Sequence, residues 1–233
     1  MNASVVQLWP VSLDTVSPWL DHRDWLDDAE QVRAQRYSNE MARCQFIRGR
    51  NALRYLLGCQ LNQKPEAVRL TVSPHGKPRL LDEAEHAGFG FNLSHSGSRV
   101  LVGLACRTEL GLDIETLKPR RTLERLAAYC LTPSEQTRWR QLPPGQRLAE
   151  FTRYWASKEA FVKATGRGIA LGFGHVEVAE DFVGFDIVPS EFGGSDDWRL
   201  HEWLHEDTQV AVVYAGERRT LVWGDDLTEG GLQ

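Results

Sequence analysis

The chain has 233 residues with 42% hydrophobic and 25% charged side chains, which is ordinary for a globular protein and excludes a largely disordered or collagen-like chain. Its 27 Lys and Arg against 32 Asp and Glu give a net charge of −5, which disfavours nucleic acid as a partner. No window approaches about 18 consecutive apolar residues and the N-terminus resembles no secretory signal, so we expect a cytoplasmic protein with no membrane partner. The four cysteines form no CxxC pair and are expected to be reduced.

The first half predicts a strand, helices and then short strands. A long helix is expected after Ser38 and Asn39, which are suitable N-caps, because apolar residues then recur at helical spacing. The segments 75–78 and 92–97 are interpreted as turns. In chain order, we predict a strand at 5–13, helical pieces at 19–26 and 28–36, a long helix from about 38 to 61, and strands at 68–72, 89–93, 99–106 and 109–114.

The second half predicts three helices followed by strands. Thr132 and Pro133 resemble an N-cap followed by proline at the first helical position, and Gly166 is suited to ending the last helix. We predict helices at 122–130, from 133, and from about 146 to 165, then strands at 175–180, 184–188, 198–204, 208–215 and 219–223. The polar, glycine-rich tail 225–233 is expected to fray.

The two halves resemble each other in two places. Residues 50–58 align with 158–166, and residues 95–105 align with 205–215 at nearly the same separation. Two matches in the same order suggest a duplicated α+β unit. We therefore expect an N-terminal half at 1–108, a C-terminal half at 109–224 and a flexible tail at 225–233, with the active site where the halves join, near 107–118.

The segment Gly111-Leu-Asp-Ile-Glu115 ends an apolar strand and carries two acids. Successive strand side chains alternate between faces, so Asp113 and Glu115 should point the same way. Neighbouring carboxylates repel each other, and a hard cation such as Mg²⁺ between them removes that cost. The alternative is a strand end that carries two surface acids into solvent.

The last predicted helix carries Trp155, Glu159 and Lys163 on one face. An exposed Glu–Lys pair would be unremarkable and weakly stabilising. Because this face is shared with Trp155 and bordered by apolar residues, the two charges are instead expected to be partly buried and to need partners. Glu159 could complete a three-carboxylate cluster with Asp113 and Glu115, and Lys163 could neutralise phosphate charge.

Two predicted turns could bind an anion. Asn92-Leu-Ser-His-Ser-Gly97 offers hydroxyl, amide and backbone donors around His95, and His75-Gly-Lys-Pro78 adds a cation. An ordinary surface turn is the alternative for each.

Together these segments resemble the larger, surfactin-synthetase-activating class of 4′-phosphopantetheinyl transferases. The resemblance covers most of the chain. It rests on a basic stretch before the long helix and, in order, on His75–Pro78, Asn92–Ser96, Gly111–Glu115 and Trp155 to Gly168. Each motif alone is weak, but four in the correct order are a strong signal. The fold implied is α+β, with two similar halves in a pseudo-twofold arrangement and the active site at their interface.

The resemblance implies transfer of the 4′-phosphopantetheine arm of coenzyme A to a serine of an acyl or peptidyl carrier protein, with Mg²⁺ as cofactor and 3′,5′-ADP as product. It implies that Asp113, Glu115 and Glu159 hold Mg²⁺ against the CoA pyrophosphate. Glu159, directly or through water, would accept the serine proton, and Lys163 would stabilise the departing phosphate. The coenzyme A contacts implied by position are Arg33, His75, Gly76, Lys77, Pro78, Asn92, Ser94 and His95, together with Asp113, Glu159 and Lys163. Arg36 is an alternative to Arg33, and Arg48, Arg50 and Arg54 are either further CoA contacts or a solvated face.

Two other functions remain open from sequence. One is a carrier-binding module that kept the fold and lost catalysis, which the intact acids and Lys163 argue against. The other is a different Mg²⁺-dependent phosphoryl or nucleotidyl enzyme that uses the same carboxylates. A monomer is expected, because one duplicated chain would complete the site, and the sequence does not specify the carrier.

Overall fold

The computed structural model describes residues 2–81 and 88–228, and the chain forms two compact units. Unit 1 contains residues 1–73, 78–107 and 219–233, and unit 2 contains residues 74–77 and 108–218. Among the helices of the described residues, none has the length and hydrophobicity that a membrane crossing requires. All four cysteines lie in the described part and carry free thiols.

Unit 1 is built on a sheet with the strand order β11-β1-β5-β4, covered by a long helix. Its β11 runs parallel to β1, and the other neighbours are antiparallel. Leu53 and Leu57 of the long helix α3 are fully buried in one cluster with Val100 and Val102 of β5. The elements are β1 (Val5–Ser12), α1 (Pro18–Asp21), α2 (Asp28–Arg36), α3 (Glu40–Leu61), β2 (Leu70–Val72), β3 (Pro78–Leu80), β4 (Phe89–Ser96), β5 (Arg99–Cys106) and, from the end of the chain, β11 (Thr220–Trp223).

Unit 2 is built on an antiparallel sheet with the strand order β6-β10-β9. Phe151 and Phe161 of its long helix α6 are fully buried in one cluster with Ala211 and Val213 of β10. The elements are β6 (Leu110–Thr116), α4 (Leu123–Cys130), α5 (Pro133–Gln141), α6 (Pro144–Thr165), β7 (Glu177–Val178), β8 (Phe185–Ile187), β9 (Trp198–His205) and β10 (Thr208–Ala215).

The two units repeat one topology. In each, a first strand precedes three helices, the third of which has 22 residues, and a two-stranded ribbon and a hairpin follow. In each, the first strand pairs with the last strand of that hairpin, which gives β1-β5-β4 and β6-β10-β9. The predicted α+β class is therefore confirmed, and the internal matches fall on α3 and α6 and on the two hairpins.

Several predicted helix ends are confirmed in detail. Asn39 caps α3 by accepting a hydrogen bond from the backbone N–H of Ala42, and Thr132 forms a capping box with Glu135 at the start of α5. Gly166 ends α6 in the left-handed region, with φ of 70°. These signals act within one turn of helix, so sequence alone locates them.

Three local predictions were wrong. The helix expected at 19–26 ends at Asp21, and the chain turns before Asp27 caps α2. Residues 92–96 are not a turn: β4 continues to Ser96, and only two residues separate it from β5. The strand expected at 175–180 is reduced to Glu177–Val178 because a 3₁₀ turn occupies 173–175. Of the predicted flexible tail, residues 225–228 are described, and Leu227 there is buried and bonds the Pro10 carbonyl.

Candidate active site

A close approach of α6 to β6 fixes the geometry of the acidic site in unit 2. At Gly111 a Cβ atom would overlap the backbone of Ala160 and Ala164 on α6. Glycine is therefore required for this contact. Because side chains two apart on a strand share a face, Asp113 and Glu115 extend from Gly111 along the side that α6 covers. The contact thus brings the neighbours of Ala160 and Ala164, which are Glu159 and Lys163, toward the two strand acids.

Asp113 is almost fully buried and paired. Its exposed fraction is 6%, and its Oδ1 accepts a hydrogen bond of 2.6 Å from the Lys163 ammonium. Its cross-strand neighbour on β10 is Ala211, which leaves room for the lysine. An acid from β6 thus pairs with a cation from α6, whereas the sequence predicted that Lys163 neutralises phosphate charge.

Glu115 is paired with a different cation. Its Oε1 accepts a hydrogen bond from Arg120, which follows β6 in the chain. The Arg120 guanidinium lies 5.6 Å from the ring centroid of Trp155 and 6.0 Å from that of Phe151. Such stacking on aromatic rings orients the guanidinium. Nothing in the sequence spacing had indicated Arg120 as a site residue.

Glu159 is the acid whose pKa is most clearly perturbed. Burial raises its pKa to about 6, the charge of Lys163 opposes that rise, and the negative charges of Asp113 and Glu115 add to it. The charges of Asp113 and Glu115 thus reach Glu159, while the three-carboxylate cluster stays a prediction. A carboxyl group with a pKa near 6 can exchange a proton at neutral pH, which is the property required of a general base.

The three acids suit a magnesium ion by their chemistry. All offer hard oxygen ligands, and a divalent cation would relieve the repulsion by Asp113 and Glu115 that adds to the effect of burial on the pKa of Glu159. Within residues 2–81 and 88–228, no group of three or more His, Cys, Asp or Glu side chains is arranged to hold a metal ion. In the structure Asp113 and Glu115 instead pair with Lys163 and Arg120.

Lys158, next to Glu159, is a residue whose importance the sequence reasoning missed. It is fully buried, and its ammonium donates to Glu135 Oε2 at 2.5 Å and to the carbonyl oxygens of Cys130 and Phe173. Glu135 also accepts from the backbone N–H groups of Thr132 and Val178. The available signal was the capping-box glutamate of α5, since a buried acid requires a cation. Lys158 therefore ties α6 to the elements around it.

The turn at 74–77 belongs to unit 2, and Pro78 begins β3 of unit 1. His75 is exposed, and Gly76 has φ of 86°, which explains the glycine. The Lys77 ammonium donates to Glu109 Oε2 and to the carbonyl oxygens of Leu110 and Ala164, at 3.0, 3.1 and 2.8 Å. The predicted phosphate contact of Lys77 would have to replace one of these three hydrogen bonds.

The remaining predicted contacts lie in unit 1. Asn92 and Ser94 are buried on one face of β4, and His95 is exposed on the other, because residues alternate along a strand. The loop-like arrangement expected for these three side chains is therefore wrong. Arg33 is exposed on α2, with its guanidinium 5.0 Å from the ring centroid of Phe46.

Comparison with known proteins identifies the family. A family model described as the 4′-phosphopantetheinyl transferase superfamily matches residues 109–215, and one described as 4′-phosphopantetheinyl transferase, N-terminal, matches residues 13–109. The chain is 36% identical over 209 residues to 4′-phosphopantetheinyl transferase HetI of Nostoc sp. (strain PCC 7120), covering 89% of this chain and 86% of HetI. The chain belongs to the 4′-phosphopantetheinyl transferase superfamily. It is an enzyme of this class, as the sequence resemblance predicted.

Other transferases match smaller parts of the chain. The 4′-phosphopantetheinyl transferase AcpT of Salmonella typhimurium is 37% identical over 113 residues, which is 48% of this chain and 56% of AcpT. Among solved structures, the holo-[acyl-carrier-protein] synthase of Neisseria meningitidis is 28% identical over 47% of this chain and 98% of that one, with a TM-score of 0.38. That score is too low to support a structural argument.

Proposed function

We propose that this transferase moves the 4′-phosphopantetheine group of coenzyme A to a serine hydroxyl of a carrier protein, with Mg²⁺ as cofactor and 3′,5′-ADP as the second product. One observation carries the proposal. Glu159, with a pKa raised to about 6, lies within the electrostatic reach of Asp113, Glu115 and Lys163 on the strand–helix contact made by Gly111. A base, acidic ligands and a cation are what phosphoryl transfer requires.

Glu159 would act as the general base. At pH 7.5 a carboxyl group with a pKa of about 6 is mostly ionised and can accept the serine proton, either directly or through one water. The serine oxygen then forms a bond to the β-phosphorus of coenzyme A. The bond from that phosphorus to the bridging oxygen breaks, and the electron pair leaves with 3′,5′-ADP.

Lys163 would supply positive charge at the same place. The Lys163 side chain is 29% exposed, so its ammonium is accessible while it donates to Asp113. A fixed cation stabilises negative charge that develops on the departing phosphate more than it stabilises the ground state. Lys163 also opposes the rise in the pKa of Glu159, which keeps that base ionised at neutral pH.

The residues that would hold Mg²⁺ are Asp113, Glu115 and Glu159. The ion would neutralise pyrophosphate charge and polarise the phosphorus under attack. The proposed contacts to the nucleotide, carried over by position, are Arg33, Asn92, Ser94 and His95. From the segment 75–78, His75, Gly76 and Pro78 remain proposed contacts, while Lys77 is engaged as described above.

The proposal is tested with an apo carrier protein, coenzyme A and Mg²⁺, followed by intact mass spectrometry. The expected result is a mass gain of one phosphopantetheine group, lost in EDTA and with Glu159→Gln. The Glu180→Gln variant is the matched control, because Glu180 is an exposed acid of the same unit. Wild-type rates for Glu159→Gln would remove Glu159 from the reaction, and carrier binding without any mass gain would favour the silent binding module.

A further inference from the structure

Arg120 is a second cation at the acidic site, on the segment between β6 and α4. It donates to Glu115 Oε1, and the two side chains are exposed to similar extents, 23% and 24%. Arg120 and Glu159 both act electrostatically on the Cys130 thiol, so Arg120 lies on the side of unit 2 where the acids gather. The proposed chemistry assigns no role to this arginine.

A metal ion bound through Glu115 would share that carboxylate with the Arg120 guanidinium, which already holds Oε1. A carboxylate oxygen that accepts a charge-assisted hydrogen bond has its lone pair directed at the donor. A divalent ion on either oxygen of Glu115 would stand at short range from the positive guanidinium, and like charges repel. Binding of the ion through Glu115 is therefore opposed by the pairing of Arg120 with the same carboxylate.

The aromatic side chains of α6 contact the guanidinium in its paired position and would still attract it after it left the carboxylate. Trp155 and Phe151 lie 5.6 and 6.0 Å from it, and their ring faces attract cations without using the carboxylate. Arg120 can thus release Glu115 while it stays against α6. Since it lies only five positions from Glu115 in the chain, it remains available to reform the pair.

We propose that Arg120 is an intramolecular competitor of the divalent cation for Glu115, which weakens metal binding until the pyrophosphate of the substrate adds its own oxygen ligands. This inference rests on the proposed function, because it assumes that Glu115 is a metal ligand. The quantity concerned is the difference in free energy between Glu115 paired with Arg120 and Glu115 bound to the cation. It concerns metal affinity, which can be measured without turnover.

The test is a titration of the intact protein with Mn²⁺, a paramagnetic substitute for Mg²⁺, in which free Mn²⁺ is measured by electron paramagnetic resonance. A partly exposed ion pair contributes little, so Arg120→Gln is expected to tighten Mn²⁺ binding by roughly two- to fivefold. Arg121→Gln is the matched control: it removes the same charge from the exposed neighbouring residue, and it should change the affinity by less than about twofold. Arg120→Lys keeps the charge and should fall between wild type and Arg120→Gln.

The outcomes separate the two proposals. Weaker Mn²⁺ binding in Arg120→Gln would mean that the arginine positions Glu115 for the metal. Equal changes in affinity for Arg120→Gln and Arg121→Gln would mean that only the net charge of the protein matters. Either result overturns the inference and leaves the proposed function intact. If Arg120→Gln fails to melt cooperatively, Arg120→Lys decides: affinity at or below that of wild type overturns the inference. If wild type binds no Mn²⁺ that Glu115→Gln removes, even with coenzyme A present, the metal site of the proposed function fails, and the inference fails with it.

Discussion

We expect the Glu159→Gln substitution to stabilise the protein at neutral pH while it removes turnover. Burial and the charges of Asp113 and Glu115 make the ionised form of Glu159 unfavourable in the folded state, despite Lys163. Glutamine has the same shape and carries no charge. It therefore removes an energetic cost that the fold bears for its proposed base, as expected where activity and stability oppose each other.

The magnitude follows from linkage between folding and proton binding. The pKa of Glu159 is about 6 in the folded state against an ordinary value of 4.5, a difference that corresponds to about 2 kcal/mol at most. Because the folded state holds the proton more tightly, the penalty is absent below pH 4.5. It grows as the pH rises from 4.5 to 6, and it is constant above that range. Partial exposure of the side chain reduces the figure.

The assay is urea denaturation of wild type and Glu159→Gln in EDTA, at intervals from pH 4 to pH 8. The difference in free energy of unfolding should move in favour of the variant by up to about 2 kcal/mol between pH 4 and pH 7.5. Glu180→Gln, which alters an exposed acid, should show a difference below about 0.5 kcal/mol.

A pH-independent difference would refute this reasoning, because it would mean that the pKa of Glu159 is the same in the folded and unfolded states. A wild type that gains stability over the variant as the pH rises would refute it more strongly. In that case Lys163 would outweigh burial, and the pKa of Glu159 would lie below 4.5.

Three further substitutions test other parts of unit 2. Gly111→Ala should separate α6 from β6 and lower the free energy of unfolding by about 3 kcal/mol or more, seen as loss of soluble protein or a lower melting temperature. The control Gly145→Ala should be tolerated, because a Cβ atom there meets no other atom. Lys158→Met leaves the Glu135 charge buried and should destabilise by about 3–5 kcal/mol in urea denaturation. Lys163→Met removes the charge that lowers the pKa of Glu159. The acidic limb of the pH–rate profile should therefore move to a higher pH than its wild-type position near pH 6. A limb that does not move would mean that it does not report the ionisation of Glu159.

The sequence predicted the local features of the fold well because their causes are local. The caps at Asn39 and Thr132 and the stop at Gly166 depend on a few adjacent residues. The prediction of a turn from residue 92 was wrong because it rested on the polar side chains of Asn92 and Ser94. They are buried within β4, where β5 supplies the backbone partners. The burial of a polar strand depends on the neighbouring elements, which a local pattern does not contain.

The acidic site likewise has features that the sequence predicts and others that it does not. The shared face of Glu159 and Lys163 follows from helical periodicity, and the shared side of Asp113 and Glu115 follows from strand alternation. The ion pair of Lys158 with Glu135 joins residues 23 positions apart, and no periodicity predicts it. Partners for buried charges are chosen by the tertiary fold, so the sequence indicated that partners were needed without indicating which residues they were.

Comparison of the two repeats distinguishes the features of the shared fold from the residues that serve the proposed reaction. Each hairpin has a two-residue loop that begins with a positive φ, at Gly97 and at Glu206, so β5 and β10 can be aligned from these loops.

That alignment differs by one residue from the sequence match of 95–105 with 205–215, and in it Val102 corresponds to Ala211. Trp9 pairs with Val102 in unit 1, and Asp113 pairs with Ala211 in unit 2. Two positions further along the first strands, Val11 occupies the place of Glu115, and Val11 is 1% exposed. These two strand positions therefore hold apolar residues, Trp9 and Val11, in unit 1 and acids, Asp113 and Glu115, in unit 2. The topology does not require the acids, and their retention at the cost calculated for Glu159 is explained by the reaction that unit 2 is proposed to perform.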